Sequence, residues 1–121
     1  GGTLASGYLH NTTDTLTGTL TVSGAITCSG NITAYSDERL KEDVKVLIDA
    51  VDKVKKLKGV TYVRKSDGEA GTGLLAQDVQ AVLPEAVMDD GHYLSVAYGN
   101  ITGLLVEAIK ELSERLERLE A

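Results

Sequence analysis

A serine hydroxyl becomes a useful nucleophile when a base takes its proton, and a neutral lysine amine is one such base. Ser36 and Lys41 offer that pair in the stretch Tyr35-Ser36-Asp37-Glu38-Arg39-Leu40-Lys41. The same serine equally suits a turn or a helix cap. Five residues along an α-helix is a rotation of about 140° at 3.6 residues per turn, so the two side chains would not share a helical face. Either Ser36 lies outside the first turn and Lys41 folds back to it, or Lys41 is supplied by a second copy of the chain.

Other residues with chemical potential lack the surroundings that chemistry needs. His10 and His92 are far apart and outside any ligand-spaced pattern. Cys28 is the single cysteine, which excludes an intrachain disulfide and a cysteine-based metal cluster. Asp89-Asp90-Gly91-His92 lacks the ligand spacing of a calcium loop. Gly68, Gly71 and Gly73 are followed by no Lys-Ser or Lys-Thr, so they do not make a phosphate loop. No metal and no cofactor is expected. A net charge of −6 argues against a nucleic-acid surface, and no apolar run is long enough for a membrane span or a signal peptide.

The chain changes character at the serine. Before it the sequence is uncharged over long stretches and rich in threonine; after it the sequence is charged and largely helix-patterned. Residues 18 to 35 repeat a unit of six: Gly18-Thr19-Leu20-Thr21-Val22-Ser23, Gly24-Ala25-Ile26-Thr27-Cys28-Ser29 and Gly30-Asn31-Ile32-Thr33-Ala34-Tyr35. Glycine followed by alternating apolar residues and threonine predicts short half-buried strands, with Cys28 on the inward side. Three such strands cannot bury a core alone, so the segment calls for identical chains wound into a shared fibre. With no Phe or Trp and five Tyr among 121 residues, partner subunits are a natural source of further burial.

Beyond the boundary, Val44, Leu47, Ile48, Val51, Val54 and Leu57 predict an amphipathic helix over 43–58, ended by Gly59. Residues 60–65 read as a strand, 66–73 as a turn, and Leu74-Leu75 as the start of the returning strand. Asp78 to Leu83 reads as a short helix stopped by Pro84. The Asp-Gly step at 90–91 predicts a second hairpin. Leu105, Ile109, Leu112, Leu116 and Leu119 fall at spacings of 4, 3, 4, 3, an a/d seam on a terminal helix. That stripe fits a parallel trimeric coiled coil and equally fits one core helix. Glu111 with Arg115 and Glu114 with Arg118 are spaced as i,i+4 pairs. The fold class is α+β.

Ser36 to Asp43, the Gly59-Val60-Thr61-Tyr62 strand, Gly73-Leu74-Leu75-Ala76-Gln77-Asp78-Val79-Gln80, Leu83-Pro84-Glu85-Ala86-Val87, Leu94-Ser95-Val96-Ala97-Tyr98 and the Leu-rich terminal helix occur in one order. This order resembles the peptidase S74 family, the C-terminal intramolecular chaperones of phage tail spikes and tail fibres, with a related domain in a eukaryotic membrane-bound transcription factor. The resemblance covers residues 36–121 and leaves 1–35 as the end of a fibre shaft. It implies a homotrimer that guides folding of the upstream fibre segment of the same chain. It further implies a cut between Tyr35 and Ser36, with Ser36 as nucleophile and Lys41 as its partner. The parent would be a virion tail fibre precursor assembled in the bacterial host cytoplasm, and the chaperone part would be released. The alternatives are a module that trimerises without cutting and the related self-cleaving domain of the eukaryotic membrane-bound transcription factor.

Overall fold

The computed structural model describes residues 12–121; His10, Asn11 and the first part of the shaft segment lie outside the described residues. By its contacts the chain divides into two units, one ending at Lys41 and one beginning at Glu42.

In the first unit, residues 12–41 are exposed throughout and contain one regular element, a 3-10 turn at Glu38–Leu40. The three hexads form no ladder within the single chain. Cys28, expected on an inward side, is an exposed free thiol whose Sγ lies 3.2 Å from the Gly30 carbonyl oxygen. Leu20, Val22, Ile26 and Ile32 are likewise exposed, because one chain of this composition has nothing to fold them against.

The second unit runs α1 (Ala50–Lys55), β1 (Val60–Val63), β2 (Ala70–Gly73), α2 (Ala76–Val82), β3 (Val87–Asp89), β4 (Leu94–Val96) and α3 (Ile101–Glu120). It is a mixed α and β arrangement with two small antiparallel hairpins, β1 with β2 and β3 with β4, and a long C-terminal helix. Ala50 and Val51 of α1, Val79 and Val82 of α2, Leu83, Ala86, and Ile101, Leu104 and Ala108 of α3 make the core. Leu104 and Val79 are the largest side chains fully sealed within it.

The helix expected over 43–58 is much shorter, and its first half is not helical. Asp43 and Asp49 both adopt left-handed backbone (φ 54°), a conformation that ends right-handed helix and that Asp tolerates better than most residues. Between them Val44, Val46 and Ile48 are exposed while Leu47 packs against the core. Three β-branched residues in five weaken helix there, and the exposed Val44, Val46 and Ile48 alternate with Lys45 and Leu47 along a non-helical stretch.

Asp49 gives α1 no side-chain cap. The cap comes from the far end of the chain: Ala50 N–H donates to Glu111 Oε2 (2.8 Å) and Val51 N–H to Glu111 Oε1 (3.1 Å). A carboxylate suits the positive end of a helix, and these two hydrogen bonds hold the Glu111 carboxyl below its ordinary range. Glu111 therefore serves α1 where its spacing suggested Arg115; Arg115 lies near enough only to reinforce that shift.

The first hairpin returns earlier than expected. Its turn spans 64–69, closed by Arg64 N–H to the Glu69 carbonyl (2.8 Å), and β2 starts at Ala70 with Tyr62 opposite Gly71 and Val60 opposite Gly73. A side chain at Gly71 would collide with the Tyr62 ring, and one at Gly73 with the Tyr98 hydroxyl. Those glycines thus serve close aromatic approach across a strand. Tyr98 Oη accepts the Leu74 N–H at 2.9 Å, tying β2 to the start of α3. In the second hairpin Asp90 Oδ1 accepts N–H groups from His92 and Tyr93, each at 2.8 Å, and Gly91 takes φ +85°, as the Asp-Gly step predicts.

Candidate functional site

The 3-10 turn brings Ser36 and Lys41 together. Asp37 is its N-cap, its side chain accepting the Arg39 N–H at 2.9 Å; the Asp37 carbonyl takes the Leu40 N–H and the Glu38 carbonyl takes the Lys41 N–H, both at 3.0 Å. Ser36 therefore precedes the cap, and Lys41 closes the turn. Lys41 Nζ donates to Ser36 Oγ at 2.7 Å. Of the two arrangements open from spacing, folding back within the chain achieves contact. Contact is possible because neither residue belongs to the turn's helical part: Ser36 precedes the cap, and Lys41 at the C-cap is already extended (φ −124°, ψ 144°), so helical spacing does not fix their directions.

Asp37 also binds its neighbour's guanidinium. Arg39 Nε lies 3.1 and 3.2 Å from the two Asp37 carboxylate oxygens, and Nη2 lies 2.7 Å from Oδ2. This fork, with the backbone hydrogen bond, holds the Asp37 carboxyl below its usual range and raises the Arg39 guanidinium. Asp37 thus both caps the turn and pairs with Arg39 at the surface. A depression of about 310 Å³ bordered by Tyr35, Asp37, Arg39 and Leu40 opens beside the Tyr35 to Ser36 bond.

In the second unit the terminal helix shows two faces. Ile101, Leu104 and Ala108 turn inward, and Glu111 follows them along the helix to reach α1. Leu105, Ile109, Leu112, Leu116 and Leu119 lie on an adjoining face, Leu105 and Ile109 each rotated by about 100° from Leu104 and Ala108, and are 45–84% exposed. The seam is thus distinct from the intramolecular contact face, and the residues that make α3 a core helix are others. An apolar groove of about 560 Å³ between the first hairpin and the first turns of α3, bordered by Val60, Thr72, Leu74, Tyr98 and Leu105, adjoins the upper end of that seam.

Gln77 is exposed; Asp78 Oδ2 is shielded and lacks a hydrogen bond, with Lys58 Nζ at 3.8 Å. His92 lies beside Tyr93, ring centroids 4.1 Å apart and the planes tilted by 58°, in the second hairpin loop. Among the described residues no group of three His, Cys, Asp or Glu is placed to hold a metal, and no helix is long and apolar enough to cross a membrane.

Residues 36–88 match the family described as chaperone of endosialidase, the match starting at Ser36 itself. The long tail fiber protein Gp37 of Enterobacteria phage K3 is 43% identical over 96 residues, 71% of this chain and 8% of that protein. Its counterpart in Enterobacteria phage T2 is also 43% identical over 96 residues, 71% of this chain and 7% of that protein. Myelin regulatory factor homolog 1 of Caenorhabditis elegans is 38% identical over 89 residues, covering 64% of this chain and 10% of that protein. The chain spans less than a tenth of the length of these two phage relatives.

Proposed function

Because residues 36–88 belong to the peptidase S74 family of endosialidase chaperones, we propose that the chain is the end of a phage tail fibre with its trimerisation chaperone, and that the chaperone frees itself by cutting between Tyr35 and Ser36. The shaft end is residues 1–35 and the chaperone residues 36–121. The observation that carries the cutting role is the 2.7 Å approach of Lys41 Nζ to Ser36 Oγ at the first residue of the family match.

The chemistry is a single-turnover acyl shift followed by hydrolysis. In its neutral form the Lys41 amine takes the Ser36 hydroxyl proton while Oγ attacks the Tyr35 carbonyl carbon. The amide C–N bond breaks as the C–O ester bond forms, and the proton passes from Lys41 to the released Ser36 amine. Water then opens the ester, leaving a carboxylate on Tyr35 and a free amine on Ser36.

Assembly is parallel and threefold, through the exposed seam of Leu105, Ile109, Leu112, Leu116 and Leu119. The trimer brings three hexad segments together so that their strands can pair between chains, and so guides the upstream fibre. The parent is a virion tail fibre precursor assembled in the host cytoplasm. The likeness to the C. elegans relative favours a second reading, a self-cleaving domain of a eukaryotic membrane-bound transcription factor; the glycine-threonine hexads favour the fibre.

Intact mass of the folded chain beside Ser36→Ala and Lys41→Ala tests the cut. Two fragments meeting at Tyr35 and Ser36 in the parent, and whole chains in both variants, are expected. A whole parent chain would leave a trimerising module without peptidase activity. Sedimentation of the Ser36→Ala chain tests assembly independently, with three times the chain mass expected.

A further inference from the structure

Lys41 sits among acids: Asp37 and Glu38 precede it, and Glu42 and Asp43 follow it. A carboxylate close to a lysine amine stabilises its protonated form, which is useless as a base. Asp37 is the acid on the cap of the turn that Lys41 closes, yet its carboxylate is spent on Arg39 through Nε, Nη2 and the backbone N–H. Among the described residues no ion pair within 4.0 Å involves Lys41, whose amine points to Ser36 Oγ. Arg39 is 86% exposed along its side chain. An ion pair that exposed contributes little to stability, so its fork on Asp37 calls for another role.

We propose that Arg39 is a positioning residue that holds the Asp37 carboxylate away from the Lys41 amine, leaving that amine available as the base for Ser36. The inference rests on the Ser-Lys reading given above. Asp37 has two duties in this arrangement: its side chain caps the turn, and its charge is masked by Arg39. The remaining acids along the segment, Glu38, Glu42 and Asp43, make no ion pair with Lys41 either, and Arg39 is the cation paired with the acid that caps the turn.

The test is the pH dependence of cutting in three variants. Arg39→Gln releases the Asp37 carboxylate, and the rising limb of its rate against pH moves upward by roughly one pH unit, a roughly tenfold slower cut at neutral pH. Adding Asp37→Asn, whose amide still caps the turn, returns the limb to the parent position. Arg39→Lys, which keeps a cation, moves it less than Arg39→Gln. A merely structural role for Arg39 would lower the rate at every pH and leave the limb in place; that result, or a double variant whose limb stays shifted, overturns the proposal. A second readout needs no cutting: in the Ser36→Ala chain, the Lys41 side-chain carbon signal followed by NMR against pH keeps its protonated position to higher pH when Arg39→Gln is added. An unchanged titration there overturns the masking role by itself, whereas a parent chain that stays whole removes the peptidase reading and leaves this measurement standing.

Discussion

Lys41 Nζ reaches Ser36 Oγ at 2.7 Å across a single 3-10 turn of one chain. Proximity of the two groups thus requires no second subunit. A base working within its own chain predicts that co-folded Ser36→Ala and Lys41→Ala chains do not rescue each other, and mass spectrometry should find both intact. Any cut fraction of the Lys41→Ala chain would place the base on a neighbour.

Leu104 and Leu112 lie two turns apart on α3 and should fail differently. Leu104 is sealed in the core, and Leu104→Ala should cost about 3 kcal/mol in chemical denaturation, the usual cost of such a cavity. Leu112 is 51% exposed. Leu112→Glu should leave the circular dichroism of the dilute chain unchanged and shift sedimentation from trimer to monomer. A Leu112→Glu chain that stays trimeric would dissociate the seam from assembly.

Glu111 makes stability depend on acid. Its carboxyl is held below the ordinary carboxylate range, chiefly by the Ala50 N–H and then by that of Val51. A depressed carboxyl stabilises the fold above its unfolded value, and that contribution is lost as pH falls through the folded value. Thermal melts of Glu111→Gln should therefore lie below the parent at neutral pH and converge with it as pH drops below the carboxylate range. A constant gap at every pH would mean that charge is not what Glu111 supplies.

Tyr98 should matter through its hydroxyl. Tyr98→Phe strips the partner from the Leu74 N–H and should cost about 1 kcal/mol. Gly73→Ala should cost more, since the new methyl group meets the same hydroxyl. Amide exchange at Leu74 should quicken in both.

Local signals carried much of the architecture. The Asp90-Gly91 step marked the second hairpin, Pro84 ended α2, and the 4, 3, 4, 3 spacing marked α3 while leaving open whether its stripe faces inward or outward. Val44, Leu47 and Ile48 have helical spacing yet stand outside any helix, because the left-handed Asp43 and Asp49 that exclude it leave no mark in a hydrophobic pattern. Contacts between distant residues were out of reach. Nothing near Ala50 announces Glu111, and nothing near Leu74 announces Tyr98. At the candidate site, Ser36 and Lys41 stand out by residue type, whereas their contact and the fork of Arg39 on Asp37 depend on a 3-10 turn that no residue type announces.

The cap on α1 has a bearing on timing. Val51 and Glu111 are separated by 60 positions, which a ribosome covers in roughly 3 to 12 s at about 5 to 20 residues per second. Until then the amide groups that open α1 have no carboxylate to receive them, and the core faces of α1 and α3 have not met. The Ser36 to Lys41 turn, made entirely of neighbours in sequence, can form as soon as it is synthesised. The order of emergence thus places the local dyad first and the closed domain last, so any delay between the two would be set by translation.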